Sequence, residues 1–148
     1  MTPSVDESLN TDLVAQEQKP SLTWKLDLSS NRIKGQIDNK DAILQAVEKI
    51  LLTERYAYRI YSWNYGAELQ FYIGKDTDFV MADAERTIKE ALLQDDRILD
   101  IENFAAKLVD LDSVSVSFTV VSVAGNFDYK KEIAILCVKA MIPVLRII

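Results

Sequence analysis

Acid–base hydrolysis needs two carboxylates whose pKa values are held apart, and Glu54, Asp95, Asp96 and Glu102 are the candidates in this sequence. No spacing selects a pair among them, and 23 acidic residues supply chance pairs in any chain of this size, so surface solubility accounts for them. Asp76, Asp78 and Asp83 do not follow the spacing of a calcium loop, and no glycine falls where such a loop turns. The chain has no histidine. That excludes Ser-His-Asp and Cys-His catalysis, histidine-ligated zinc and a histidine pH switch. The one cysteine, Cys137, can form neither an internal disulfide nor a thiolate metal cage. No glycine-rich phosphate loop is present. The expectation is a protein that is not an enzyme, with no catalytic constellation, no cofactor and no metal.

The chemistry that remains is recognition. Tyr56, Tyr58, Tyr61, Trp63 and Tyr65 crowd into one short stretch, interleaved with Arg55 and Arg59. Such a segment reads in two ways: as an aromatic-rich strand and loop at the edge of the core, or as a protein-binding surface, because Tyr, Trp and Arg dominate interface hot spots. A nucleic-acid stacking platform also needs aromatics and arginines. The net charge of -6, with Lys and Arg not clustered in a stripe, has the wrong sign for it.

Regular elements must position this segment, and the low content of glycine (4) and proline (3) argues for long ones. A single domain is the default at 148 residues. Leu22, Trp24, Leu26 and Leu28 alternate with polar residues, and Ile33, Gly35 and Ile37 resume the alternation after Ser29-Ser30-Asn31, which predicts a half-buried β-hairpin. Asp38 or Asn39 caps a helix whose stripe is Ile43, Ala46, Val47, Ile50 and Leu51, with Lys40, Gln45 and Lys49 facing away. A second helix is predicted with Asp78 as N-cap and Met81, Ala84, Ile88, Ala91 and Leu92 inward, Glu85, Arg86, Lys89 and Glu90 outward, ending near Gln94 to Arg97. A strand with irregular alternation falls within residues 98–109. The clearest strand is 113–120, with Val114, Val116, Phe118 and Val120 on one face and Ser113, Ser115, Ser117 and Thr119 on the other. After a turn at Ala124-Gly125-Asn126, residues 127–138 offer another extended segment. The order implies an α+β fold with a largely antiparallel sheet and two main amphipathic helices.

The ends differ from this middle. Residues 1–20 are polar and acidic without the pattern of a signal peptide, and read as a flexible arm. Residues 133–148 are strongly apolar but contain Lys139, Pro143 and Arg146 and fall short of the ~20 residues a membrane helix needs. They read as a strand plus a tail buried against this fold or a neighbour. The domain proper is expected over 21–132.

The run from Leu52 to Leu69 resembles the signature of the contractile-tail sheath-initiator family, a baseplate wedge protein of contractile bacteriophages and related injection systems. Ala84-Glu85-Arg86-Thr87-Ile88 with Ala91-Leu92 is similar to the family's second helix, and Asp95-Asp96-Arg97-Ile98 sits where many members carry Glu-Pro-Arg. The resemblance runs over residues 22–124 in three ordered motifs. Thr53, Arg59, Tyr65, Gly66 and Leu69 fall on the family's Thr…Arg…aromatic-Gly…Leu pattern, and Arg97 on the Arg of Glu-Pro-Arg, with Asp95 for the Glu and Asp96 for the Pro. Arg97 then either makes bidentate contacts to a partner's carboxylates or carbonyls, or is a cation facing the C-terminal end of a helix. Gly66 allows a left-handed turn.

The resemblance implies a fold like the C-terminal domain of tail sheath proteins and a structural role in the baseplate of a virion or tail-like particle, assembled in the bacterial cytoplasm. Its implied partners are the tail sheath protein, baseplate wedge proteins, and tail tube or hub proteins, with several copies around a six-fold particle and neither nucleic acid nor membrane. Sheath strands would add to an open sheet edge. The expected exchange elements are the strand 113–120 with Val114, Val116, Phe118 and Val120, the segment 127–138, and the N-terminal arm. Thr53, Arg55, Arg59, Tyr61, Trp63, Tyr65, Gly66, Leu69, Asp95, Asp96 and Arg97 are the expected partner-binding positions. Two other readings stand beside it: a cell-wall glycosidase with Glu54 as general acid, since some relatives carry a lysozyme-like label, and a small intracellular adaptor.

Overall fold

The computed structural model describes residues 21–110 and 113–134; the N-terminal arm and residues 135–148 of the apolar end lie outside them. The described residues order as β1 (Thr23–Asp27), β2 (Arg32–Ile37), α1 (Asn39–Leu52), α2 (Thr77–Leu92), β3 (Ile98–Asp110), β4 (Ser113–Ser122) and β5 (Phe127–Ala134), with a 3-10 turn, Gln70–Tyr72, before α2. β1 and β2 form an antiparallel hairpin, and β3-β4-β5 a separate antiparallel sheet. This is the α+β architecture that the alternation and stripes predict.

Apolar periodicity decides which faces meet. Ile43, Val47, Ile50 and Leu51 of α1 and Val80, Ala84, Ile88, Ala91 and Leu92 of α2 are buried against Ile101 of β3, Val114, Val116, Phe118 and Val120 of β4, and Phe127 and Ile133 of β5. Each of the larger of these side chains, alanines aside, contributes about 1.5–3 kcal/mol on leaving water. Phe104, Phe118 and Tyr129 form a row across the three strands, with ring centroids 6.1 and 5.6 Å apart, the cross-strand pairing that stabilises sheets. Asp38 caps α1 and takes a hydrogen bond from the Ser21 hydroxyl. Lys89 of α2 pairs with Asp100 of β3 at 2.6 Å.

Several expectations are corrected. The cap of α2 is Asp76, whose carboxylate accepts the Asp78 N–H at 2.9 Å; Asp78 lies in the first turn. The stripe of α2 begins at buried Val80, and Met81 is exposed, one step of about 100° further round the helix. Gln45 does not face away. Its side chain accepts the Leu26 N–H at 2.7 Å and donates to Trp24 O at 2.9 Å, clasping the hairpin to α1. The hairpin forms as predicted, yet Leu22, Trp24, Leu28 and Ile33 are exposed, because no described element covers those side chains.

The irregular alternation of β3 also has a structural cause. Its register against β4 shifts at Ile98/Asp100, Glu102/Ala105 and Leu108/Asp110, and Asn103 takes φ 52° inside the second shift, a left-handed conformation that asparagine tolerates. β4 and β5 pair through eight consecutive positions without a shift.

Candidate assembly interface

The aromatic segment is a loop, not a strand. Among the described residues its one ladder contact is a parallel bridge between Glu54 and Ala67 at its base. Thr53 ends α1, where its hydroxyl donates to Lys49 O at 2.7 Å and its own carbonyl accepts the Ala67 N–H at 3.0 Å. The Arg55 N–H donates to Ala67 O at 3.3 Å. Two points thirteen positions apart in the sequence are thus closed onto each other, the geometry of an Ω-loop.

Arg55 locks that closure. Its side chain is 7% exposed, and Nε donates to Gly66 O at 3.1 Å while Nη1 reaches Glu90 at 2.8 Å and Glu68 at 3.6 Å. Gly66 has φ 97°, and a Cβ there would stand 2.6 Å from Thr53 O. The left-handed turn expected at Gly66 is present, and close backbone approach adds a second reason for glycine. Leu69 and Tyr65 pack partly buried against the core; burial pushes the Tyr65 phenol above its ordinary value.

Beyond the base, the loop turns outward. Tyr56, Tyr58, Ile60, Tyr61 and Trp63 are exposed, and so is Arg59, which forms no ion pair among the described residues. Tyr61 stacks on Tyr65 at 4.6 Å, Tyr56 meets Trp63 at 6.0 Å, and Tyr58 meets Tyr61 edge-on at 6.2 Å. Arg55 and Tyr65 thus pack against the fold, while the rest of the aromatic segment is exposed.

At the corner between α2 and β3, Arg97 grips Asp95 with two parallel bonds, Nε to Oδ1 at 2.8 Å and Nη2 to Oδ2 at 2.6 Å. The Arg97 N–H also donates to Asp95 Oδ1 at 3.1 Å. Donating these bonds to Asp95 holds the Arg97 guanidinium pKa above its ordinary value. The bidentate chemistry expected of Arg97 is realised within its own chain, and it stiffens a corner that lacks proline.

This corner and the loop base converge. Leu22 of the hairpin entry, Ala42 and Ala46 of α1, Tyr65, Ala91 of α2 and Arg97 line one groove of about 530 Å³. Four segments distant in sequence share one surface.

A profile of the contractile injection system sheath initiator family matches residues 22–125. This chain belongs to that family. It is also 36% identical over 140 residues, 90% of its own length and 96% of the other's, to the phage-like element PBSX protein XkdS of Bacillus subtilis strain 168.

For this sheath initiator, the sheet corrects one expectation. β4 is the central strand, paired with β3 on one side and β5 on the other, and Val114, Val116, Phe118 and Val120 point into the core. Its period-2 pattern marks the most buried strand, and among the described residues the free edges of the sheet belong to β3 and β5. Glu54 accepts the Gln70 N–H at 3.1 Å, capping the 3-10 turn, and burial pushes its carboxyl up. Among the described residues no group of acidic and sulfur ligands could hold a metal ion, and no helix is long and apolar enough to cross a membrane. Glu90, Gln45 and Asp76 are the residues that sequence reasoning missed. Only the cap could have been found, since Asp76 precedes Thr77 by the same rule that suggested Asp78.

Proposed function

We propose that this sheath initiator is a structural baseplate subunit, not an enzyme, that starts sheath polymerisation by lending the free edge of β5 to a strand of the first sheath ring. The observation that carries this reading is the contrast between the two edges of the sheet. β3 is interrupted by three register shifts, and bulged edges resist pairing with further strands. β5 is regular along its whole paired length and, among the described residues, has no second neighbour.

An incoming strand would meet alternating faces: Phe127, Tyr129 and Ile133 toward the core, Asp128, Lys130 and Glu132 away from it. Backbone bonds supply affinity and this alternation supplies register. Copies around a six-fold particle would present a ring of such edges. The groove between the end of the loop and the Asp95–Arg97 corner is the proposed contact with baseplate wedge proteins, supported by Tyr65, Asp95, Asp96 and Arg97, the motif positions that line it.

Hydrogen exchange of the chain mixed with its sheath protein tests the reading. Amides of 127–134 should gain protection while those of 98–110 do not. Unchanged exchange in both strands, or protection confined to β3, overturns it.

A further inference from the structure

The tip of the Ω-loop is apolar and presented to solvent, with Ile60 84% and Trp63 80% exposed. It is also held in shape. Tyr56 adopts φ 65°, a conformation that bulky residues take only where their surroundings enforce it, and it directly follows Arg55, whose side chain is fixed on Gly66 and Glu90. The rings then support one another through the Tyr56–Trp63 and Tyr58–Tyr61 contacts. A rigid aromatic knob loses little conformational entropy when it is buried. Arg59 is the exposed cation of this tip, on a chain whose net charge is -6.

We propose that the tip of loop 56–65 is a preformed plug that seats in an apolar cleft of a protein partner, with a carboxylate of that partner taking Arg59. The proposal rests on the reading that this chain is a particle subunit, and adds a contact separate from the β5 edge. A nucleic acid would also stack on the rings, but it needs a surrounding positive groove, which this acidic chain does not provide.

Purified contractile particles allow the test. With Trp24→Phe, Trp63 is the one tryptophan left in this chain; supplied as 7-azatryptophan in this chain alone, whose red-shifted emission separates it from the particle's other tryptophans, it should be quenched by acrylamide in the free chain and protected in the particle. A photoreactive residue at position 60 should cross-link to one polypeptide, within a segment that is apolar and carries Asp or Glu. Arg59→Glu should lower incorporation about tenfold or more, as at interface hot spots, with circular dichroism and Tm unchanged, and replacing the cross-linked carboxylate by Arg should restore it. Trp63 accessible in particles, or adducts to glycan or nucleic acid alone, overturns the plug. Absence of the wild-type chain from particles instead overturns the assembly reading beneath it.

Discussion

Arg55 and Glu90, 35 positions apart, meet at 2.8 Å where the aromatic loop leaves α1 and crosses α2. The same guanidinium donates to Gly66 O, so a single planar group ties the two ends of the loop to a helix. A lysine at this site keeps the charge but is a point donor without the fork. Arg55→Lys should cost about 1–3 kcal/mol, the range for losing a bond to a charged group in a buried setting. A lowered urea midpoint at unchanged slope measures it.

Gly66→Ala should be as damaging for a different reason. The added Cβ meets the Thr53 carbonyl at 2.6 Å on a backbone with φ 97°, and neither atom can swing aside as a flexible side chain would. The loop base must open. A loss of about 2–4 kcal/mol is expected, from combined strain and overpacking, with the Tm drop as readout. Gly125→Ala meets nothing within 4 Å and should be milder, separating the clash from the φ penalty.

Local pattern made most of this fold legible. The stripes of α1 and α2, the hairpin and β4 follow from periods that side-chain burial enforces along one element. Sheet order is different in kind: the same alternation in residues 113–120 fits an edge or a centre, and only the partners on both sides decide. Glu90 reads as a solvated helix charge because its partner Arg55 is remote in sequence. Trp24 and Ile33 alternate as a half-buried strand does, but nothing among the described residues covers them.

Val116 tests the corrected role of β4. Fully buried between α2 and its neighbouring strands, it should lose about 2–3 kcal/mol as Val116→Ala, from transfer and cavity terms together. Sheath binding per folded molecule should remain unchanged. A variant of normal Tm with impaired binding would return β4 to the exchange surface.

Glu54→Gln bears on the lysozyme-like label. The Glu54 carboxylate already accepts the Gln70 N–H, and a glutamine oxygen can do the same. Stability should change little, and neither wild type nor variant should clear a murein suspension. Clearing by the wild type alone would make Glu54 a general acid and displace the structural reading.

Alkaline pH should reveal the anchor of the 3-10 turn. Tyr72 is fully buried, with its hydroxyl 3.0 Å from Asp83 Oδ2 and 2.8 Å from Thr87 Oγ1. Asp83 can only accept, from the phenol at 3.0 Å and from the Thr87 hydroxyl at 3.4 Å. Burial, with Asp83 adding to it against the opposing Thr87 bond, pushes the phenol up to about 12 from its ordinary 10.0. A raised folded-state pKa means that the folded chain holds this proton more tightly than the unfolded chain. Its stabilisation is then complete below pH 10.0 and is lost as the pH climbs through about 12. Tyr72→Phe removes both the bonds and the titration. It should lower stability at neutral pH by about 1–2 kcal/mol, and the gap to wild type should shrink between these two pH values. A gap that stays constant across that window would mean that Tyr72 ionises as freely in the folded chain as in the unfolded one.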